Sequence, residues 1–153
     1  MYEYKCKMVK VVDGDTIDVD IDLGFGVWMR NQRIRMHGID TPESRTRDLE
    51  EKKYGLAAKD FLIKWTNAGG LTLKTHKDDR GKFGRILGEL WVHCGEEGHE
   101  YEGWTNLNQW MCEHGHAVGY WGQNKDDVKG EHWKNREYLA GTGEQELLEW
   151  DND

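Results

Sequence analysis

Hydrophobic and polar residues alternate through the first forty positions of this chain, and the period then changes. From Thr16 to Leu23 the alternation is strict: Ile17, Val19, Ile21 and Leu23 share one face, and Thr16, Asp18, Asp20 and Asp22 share the other. That pattern predicts a half-buried strand with a solvated acidic face. Cys6 to Val12 alternates more loosely, and Val27 to Ile39 returns as a longer strand carrying Arg30, Arg33 and Arg35. Asp13-Gly14-Asp15 and Gly24-Phe25-Gly26 between them are turn chemistry. Over Asp48 to Asn67, Leu56, Ala57, Phe61 and Trp65, with Tyr54, Ala58 and Leu62 beside them, follow a 3.6-residue repeat. This predicts an amphipathic helix stopped near Ala68-Gly69-Gly70. Leu71 to His76 and Phe83 to Val92 read as two further strands around the charged turn Lys77 to Lys82, and Cys94 to Gly103 as an acidic loop or hairpin. Thr105 to His114 is expected to be helical, with Thr105 as N-cap and Gly115 as the stop. A third helix is expected over Glu131 to Leu139, and the acidic end from Glu144 to Asp153 is expected to fray.

Five strands with a helix inserted after the third predict a mainly β fold: a five-stranded OB barrel with about three packed helices. No repeat or linker divides the chain, so one domain is expected over residues 1–140, followed by an acidic tail over 141–153. A chain of 153 residues buries about 70% of its unfolded surface and needs no metal or disulfide to fold. The eight Trp and six Tyr supply large apolar bodies for its core. No apolar run approaches the roughly 20 residues of a membrane-spanning helix, so no membrane role is expected. The opening Met1 to Lys10 lacks the apolar stretch of a secretory signal, and Cys6, Cys94 and Cys112 are an odd, sparse set. Both point to a cytoplasmic location, unless the chain is a processed form; a monomer is expected.

The net charge of -8 is unevenly placed. Residues 1–90 hold 17 Lys/Arg against 15 Asp/Glu, whereas residues 91–153 hold 4 against 14. A phosphate-bearing partner is compatible with the first part and repelled by the second. The expected binding face is therefore confined to the first 90 residues.

Unusual residues concentrate in three segments: Asp13-Gly14-Asp15-Thr16, Arg35 through Glu43, and Lys82-Phe83-Gly84-Arg85. The only proline, Pro42, lies between two acids and fixes the backbone there. Asp15 opens one strand and Asp40 closes another, so an antiparallel sheet can set them side by side. Paired carboxylates either raise one pKa or recruit a cation, and a hard divalent ion accepts two Asp oxygens, a backbone carbonyl and waters. Glu43, three residues on, can act through a metal-ordered water. Arg35 and Arg85 are permanently charged planar donors suited to phosphate.

The ordered set DGDT, R-x4-DTPE, YG-x2-A-x3-F and KFGR resembles the staphylococcal nuclease (thermonuclease) family. Tyr54-Gly55, Ala58 and Phe61 match the opening of that family's first helix; Leu107-Asn108 and Gly115-His116-Ala117 are similar to its second helix and exit. The resemblance implies metal-dependent hydrolysis of DNA and RNA, with Ca2+ as the usual ion, single-stranded substrate favoured and 3′-phosphate ends produced. It implies that Asp15, Asp40 and the Thr41 carbonyl hold the ion, that Glu43 is the general base, and that Arg35 and Arg85 stabilise the pentacoordinate phosphorus. Lys82 and Tyr120 fall at nucleotide-contact positions. Oxygen ligands alone accept Mg2+ or Mn2+ as well.

The chain departs from the family in three places. Phe83 stands where many members have Tyr, Val118-Gly119-Tyr120-Trp121 shortens a paired-tyrosine segment, and the acidic tail replaces a basic one. Trp121 is a candidate for stacking a base. The alternative to a nuclease is a non-catalytic OB module that binds nucleic acid or protein. A zinc-stabilised interaction protein built on His93, Cys94, His99, Cys112, His114 and His116 is a further alternative, but the C-x-H-x-H spacing is not a usual structural zinc pattern.

Overall fold

A computed structural model describes residues 2–76, 86–93 and 103–141. Their elements follow in the order β1 (Glu3–Asp13), β2 (Thr16–Gly24), β3 (Val27–Met36), β4 (Ile39–Asp40), α1 (Leu49–Thr66), β5 (Gly70–His76), β6 (Ile86–His93), β7 (Trp104–Asn106), α2 (Leu107–Glu113), β8 (Val118–Gly119) and α3 (Lys125–Gly141). The main sheet runs β3-β2-β1-β5-β6-β7, and a further pairing of β3 with β6 closes its first five strands into a barrel. The expected five-stranded OB barrel is therefore the fold, with α1 inserted between the third barrel strand and the fourth. Closure is parallel, setting Ile34 opposite Ile86 and Met36 opposite Gly88. A side chain at 88 would begin 2.5 Å from Leu73 Cδ1, so glycine is what lets the seam close over the core.

The alternation of β2 holds: Ile17, Val19 and Ile21 are buried, and Asp18 and Asp20 face outward, where they pair with Arg33 and Arg30. Leu23 is exposed, because it lies beyond the barrel rim next to the glycine turn. The barrel side chains meet Phe61 and Leu62 of α1 and Leu107 and Met111 of α2 in one core. Each such fully buried aliphatic side chain contributes roughly 1.5–3 kcal/mol relative to exposure.

Local differences from the sequence reading have simple causes. The long strand predicted through Ile39 breaks after Met36, where Gly38 takes a φ of 78°. Asp48 is the N-cap of α1, accepting from the Glu50 and Glu51 amides. Asn106, not Thr105, caps α2; Thr105 belongs to β7, paired with Val92. The third helix begins at Lys125, six residues earlier than expected. Gly130 and the Asp126-Asp127 pair hide its start in the sequence. The charged turn, the acidic loop and the tail from 142 onward lie outside the described residues. Among the described residues, no helix is long and apolar enough to cross a membrane.

Candidate active site

Three local devices gather the site at one mouth of the barrel. The first is the β1–β2 turn: a Cβ at Gly14 would sit 2.9 Å from Thr41 Oγ1 and 3.0 Å from Ala58 Cβ. The glycine of DGDT therefore lets the Asp15 turn press against the Asp40-Thr41 segment and α1. The second is on α1, where a Cβ at Gly55 would lie 2.2 Å from the Glu43 carbonyl oxygen. Only a glycine there allows the Glu43-Ser44 backbone to rest on the helix, and the Glu43 amide also donates to Glu51 Oε2 at 3.2 Å. The third is the short β4–β8 ladder, which sets Asp40 opposite Val118. Tyr120 N then donates to Gly38 O at 2.8 Å.

Arg35 stands at the centre. Its Nη1 lies 3.4 Å from Asp15 Oδ2, and its Nη2 lies 3.8 Å from Asp40 Oδ1. The guanidinium also donates to the carbonyls of Met36 (3.0 Å) and Ile39 (2.9 Å), which fixes its plane. Asp15 accepts from the Thr16 hydroxyl at 3.0 Å and from the Thr41 amide at 3.4 Å. Burial pushes the Asp15 carboxyl above the ordinary carboxylate value; Arg35 and the Thr16 hydroxyl pull it back, while Asp13 and Asp40 push the same way as burial.

Asp15, Arg35, Asp40, Thr41 and Glu43 are thus brought together, with all but Asp15 lining a groove of about 750 Å³. Glu43 is exposed there, and its carboxylate has no hydrogen bond or ion pair among the described residues. Tyr120 lines the same groove, and Lys82 and Arg85 lie outside the described residues. The carboxylates suit a hard cation: two adjacent all-oxygen donors, one of them desolvated. No cluster of three or more His, Cys, Asp or Glu side chains suited to a metal occurs among the described residues. A resident cation would therefore depend on carbonyl and water ligands as well. Of the residues considered for zinc, His93, Cys112, His114 and His116 form no metal-binding cluster among the described residues, His116 being buried against Phe61 at 4.6 Å; Cys94 and His99 lie outside the described residues.

The opposite wall of the groove was not anticipated. It is α3, which presents Lys125, Lys129, His132, Trp133 and Arg136 to Asp40 and Glu43. His132 Nε2 lies 2.8 Å from Asp40 Oδ2. The expected binding face, confined to the first 90 residues, leaves out this helix, although the helix lines the groove. Of its charged residues, Lys125, Lys129 and Arg136 line the groove, while Asp126, Asp127, Glu131, Lys134 and Glu137 do not. The spacing 125, 129, 132/133, 136 is one helical face and would have been visible had the helix been started at Lys125.

A closed OB barrel with a carboxylate–arginine cluster at one mouth defines the class of this protein. Residues 33–145 match the family described as Staphylococcal nuclease homologue, and the chain belongs to that family. It is 33% identical to a thermonuclease of Staphylococcus hyicus over 90 residues, covering 59% of this chain and 50% of the relative. It is 30% identical to Protein ParB of Escherichia coli over 122 residues, covering 77% and 58%. Against a micrococcal nuclease of Shigella flexneri it is 28% identical over 118 residues, covering 77% and 59%. The chain spans about half the length of the curated relatives it matches.

Proposed function

We propose that this chain is a divalent-metal-dependent nuclease that hydrolyses phosphodiester bonds of DNA and RNA, acting as a monomer with single strands favoured. The observation that carries this reading is the convergence of Asp15, Arg35 and Asp40, with Glu43 exposed in the same groove. Family membership supports it, because thermonuclease and micrococcal nuclease are among the relatives.

In this mechanism Asp15, Asp40 and the Thr41 carbonyl would hold a calcium ion, with magnesium or manganese as alternatives. When bound, such an ion would supply positive charge able to acidify water and offset charge on a phosphate oxygen. Glu43 takes the proton of the attacking water; its exposure and lack of partners leave both oxygens available for that task. Arg35, held rigid by two carbonyls, directs its charge toward the cluster, where the phosphorus gains negative charge in the transition state. Arg85 supplies the second guanidinium, and Lys82 and Tyr120 contact the nucleotide. Pro42 keeps the Asp40–Glu43 segment from relaxing away from the groove.

The test is hydrolysis of single- and double-stranded DNA and RNA by wild type and Glu43→Gln across calcium, magnesium and manganese. Wild-type cleavage with a loss of about 10²–10⁴-fold in the variant is expected. Absence of cleavage with every ion, or equal cleavage by both proteins, would leave the binding-module reading in its place.

A further inference from the structure

Helix α3 is poorly explained as a structural element. Leu139 is its only buried residue, packed with Tyr54 and Ala57 of α1. Its other ties are the Tyr138 ring, which a Cβ at Gly115 would meet at 3.0 Å, and two polar contacts: Asn135 Nδ2 donates to Ala117 O at 3.0 Å, and His132 bonds Asp40. Lys125 and Lys129 stand four residues apart on one face, a like-charge spacing that costs an isolated helix a few tenths of a kcal/mol. Neither makes an ion pair or hydrogen bond among the described residues, although the helix also carries Asp126, Asp127, Glu131 and Glu137. The cations are therefore not arranged to neutralise the helix's own acids.

Aromatic surface accompanies this charge. Trp133 is 47% exposed and Tyr120 45% exposed, and both line the groove. The Arg136 guanidinium lies 4.8 Å from the Trp133 ring and 5.3 Å from the Tyr54 ring, which fixes its charge at the groove edge. Cations that follow a groove, interleaved with half-exposed rings, have the composition of a single-strand binding surface. From Lys125 to Arg136 the helix rises about 16 Å, long enough to face several phosphates.

We infer that the groove face of α3 is a binding track for the sugar–phosphate backbone of a single strand, with Lys125, Lys129 and Arg136 on phosphates and Trp133 under a base. The His132–Asp40 bond sets one side of the track against the candidate cation ligands. The inference rests on the nuclease reading and names where its substrate runs beyond the scissile linkage. It also places substrate contacts in the part of the chain whose overall charge is repellent.

The test measures binding of fluorescein-labelled oligothymidylates of 2, 8 and 16 nucleotides to full-length Glu43→Gln protein in calcium, by anisotropy, at several salt concentrations. Adding Lys125→Ala and Lys129→Ala is expected to weaken binding of the 16-mer at least tenfold and the dinucleotide less than threefold. The salt slope of log K should fall by about 1.4, since each single-strand phosphate contact contributes about 0.7. Lys125→Arg with Lys129→Arg should restore affinity, and Trp133→Ala should weaken the 16-mer selectively. Asp126→Ala with Asp127→Ala, on the outer face, should not mimic the lysine losses. Equal affinity and slope with and without the two lysines, or no 16-mer binding at all, overturns the track. Length-dependent binding through the lysines in a wild-type protein that cleaves nothing keeps the track and overturns the nuclease reading. Cleavage with an unchanged KM in the lysine variant does the reverse.

Discussion

His132 Nε2 lies 2.8 Å from Asp40 Oδ2, joining the last helix to a carboxylate 92 positions earlier in the chain. An ionised Asp40 can only accept, so the imidazole donates from Nε2 and holds one carboxylate oxygen, while Oδ1 faces Arg35. A ligand fixed in this way loses little freedom on binding an ion. His132→Ala should therefore weaken calcium binding by about 10–100-fold, as loss of an outer partner does at metal sites. His132→Asn or His132→Gln, which keep an N–H donor, should recover part of it. The variant should also lose about 1–2 kcal/mol of stability with the charge-assisted bond. Calorimetric titration with calcium and urea denaturation check the two effects separately.

Gly55 fixes Glu43 by what it lacks. A methyl group at 55 would overlap the Glu43 carbonyl and the Ser44 amide, both of them backbone atoms that cannot swing aside. Gly55→Ala should therefore push the 43–44 segment off α1, despite alanine's better helix propensity. A stability loss of about 1–3 kcal/mol is expected, with kcat falling and KM changing little. Thermal denaturation and steady-state kinetics on one oligonucleotide check this. A stabilised variant with full kcat would show that the segment has other room to move.

The barrel was legible because its alternation is simple: Ile17, Val19 and Ile21 on one face of β2 leave one way to pack. Asp15, Arg35, Asp40 and Glu43 were legible as a group because turn glycines and the sole proline surround them. Helix α3 was legible only in its second half, expected over Glu131 to Leu139; its start at Lys125 was not. It buries only Leu139, so no apolar period marks its first turns, and Gly130 lies inside it. Its role at the groove comes from the β4–β8 ladder and the His132–Asp40 bond, contacts between distant segments that no local window contains.

Asp15 carries a conflict between stability and chemistry. Its folded-state pKa is raised, chiefly by burial, so the folded protein holds that proton more tightly than the unfolded chain does. Its stabilising contribution is present below the unfolded pKa and is lost as pH rises through the folded one. At neutral pH the ionised carboxylate is therefore a burden when no divalent ion offsets it. Asp15→Asn should raise Tm without divalent ions and abolish hydrolysis. Calcium at 100 times its Kd should add about 2.7 kcal/mol to the wild type and almost nothing to the variant. Scanning calorimetry of both proteins with calcium and with chelator checks both parts. A variant destabilised in chelator would mean that the Asp15 contacts to Arg35 and Thr41 outweigh its burial.

His116 predicts the acid limit of the fold. Its ring is buried and packs on Phe61 at 4.6 Å and, with His114 also near, has its pKa pushed down to about 4, first by burial and then by that neighbour. A depressed histidine pKa means that the unfolded chain takes up protons more readily. Stability from the neutral ring is thus complete above pH 6.5 and is lost as pH falls toward 4. The displacement corresponds to a loss on the order of 3 kcal/mol by pH 4. His116→Leu keeps an apolar body against Phe61 and cannot be protonated. Urea denaturation at pH 7 and pH 4 should then show the wild type losing on the order of 3 kcal/mol more than the variant. Equal losses in the two proteins would move the acid sensitivity to another group.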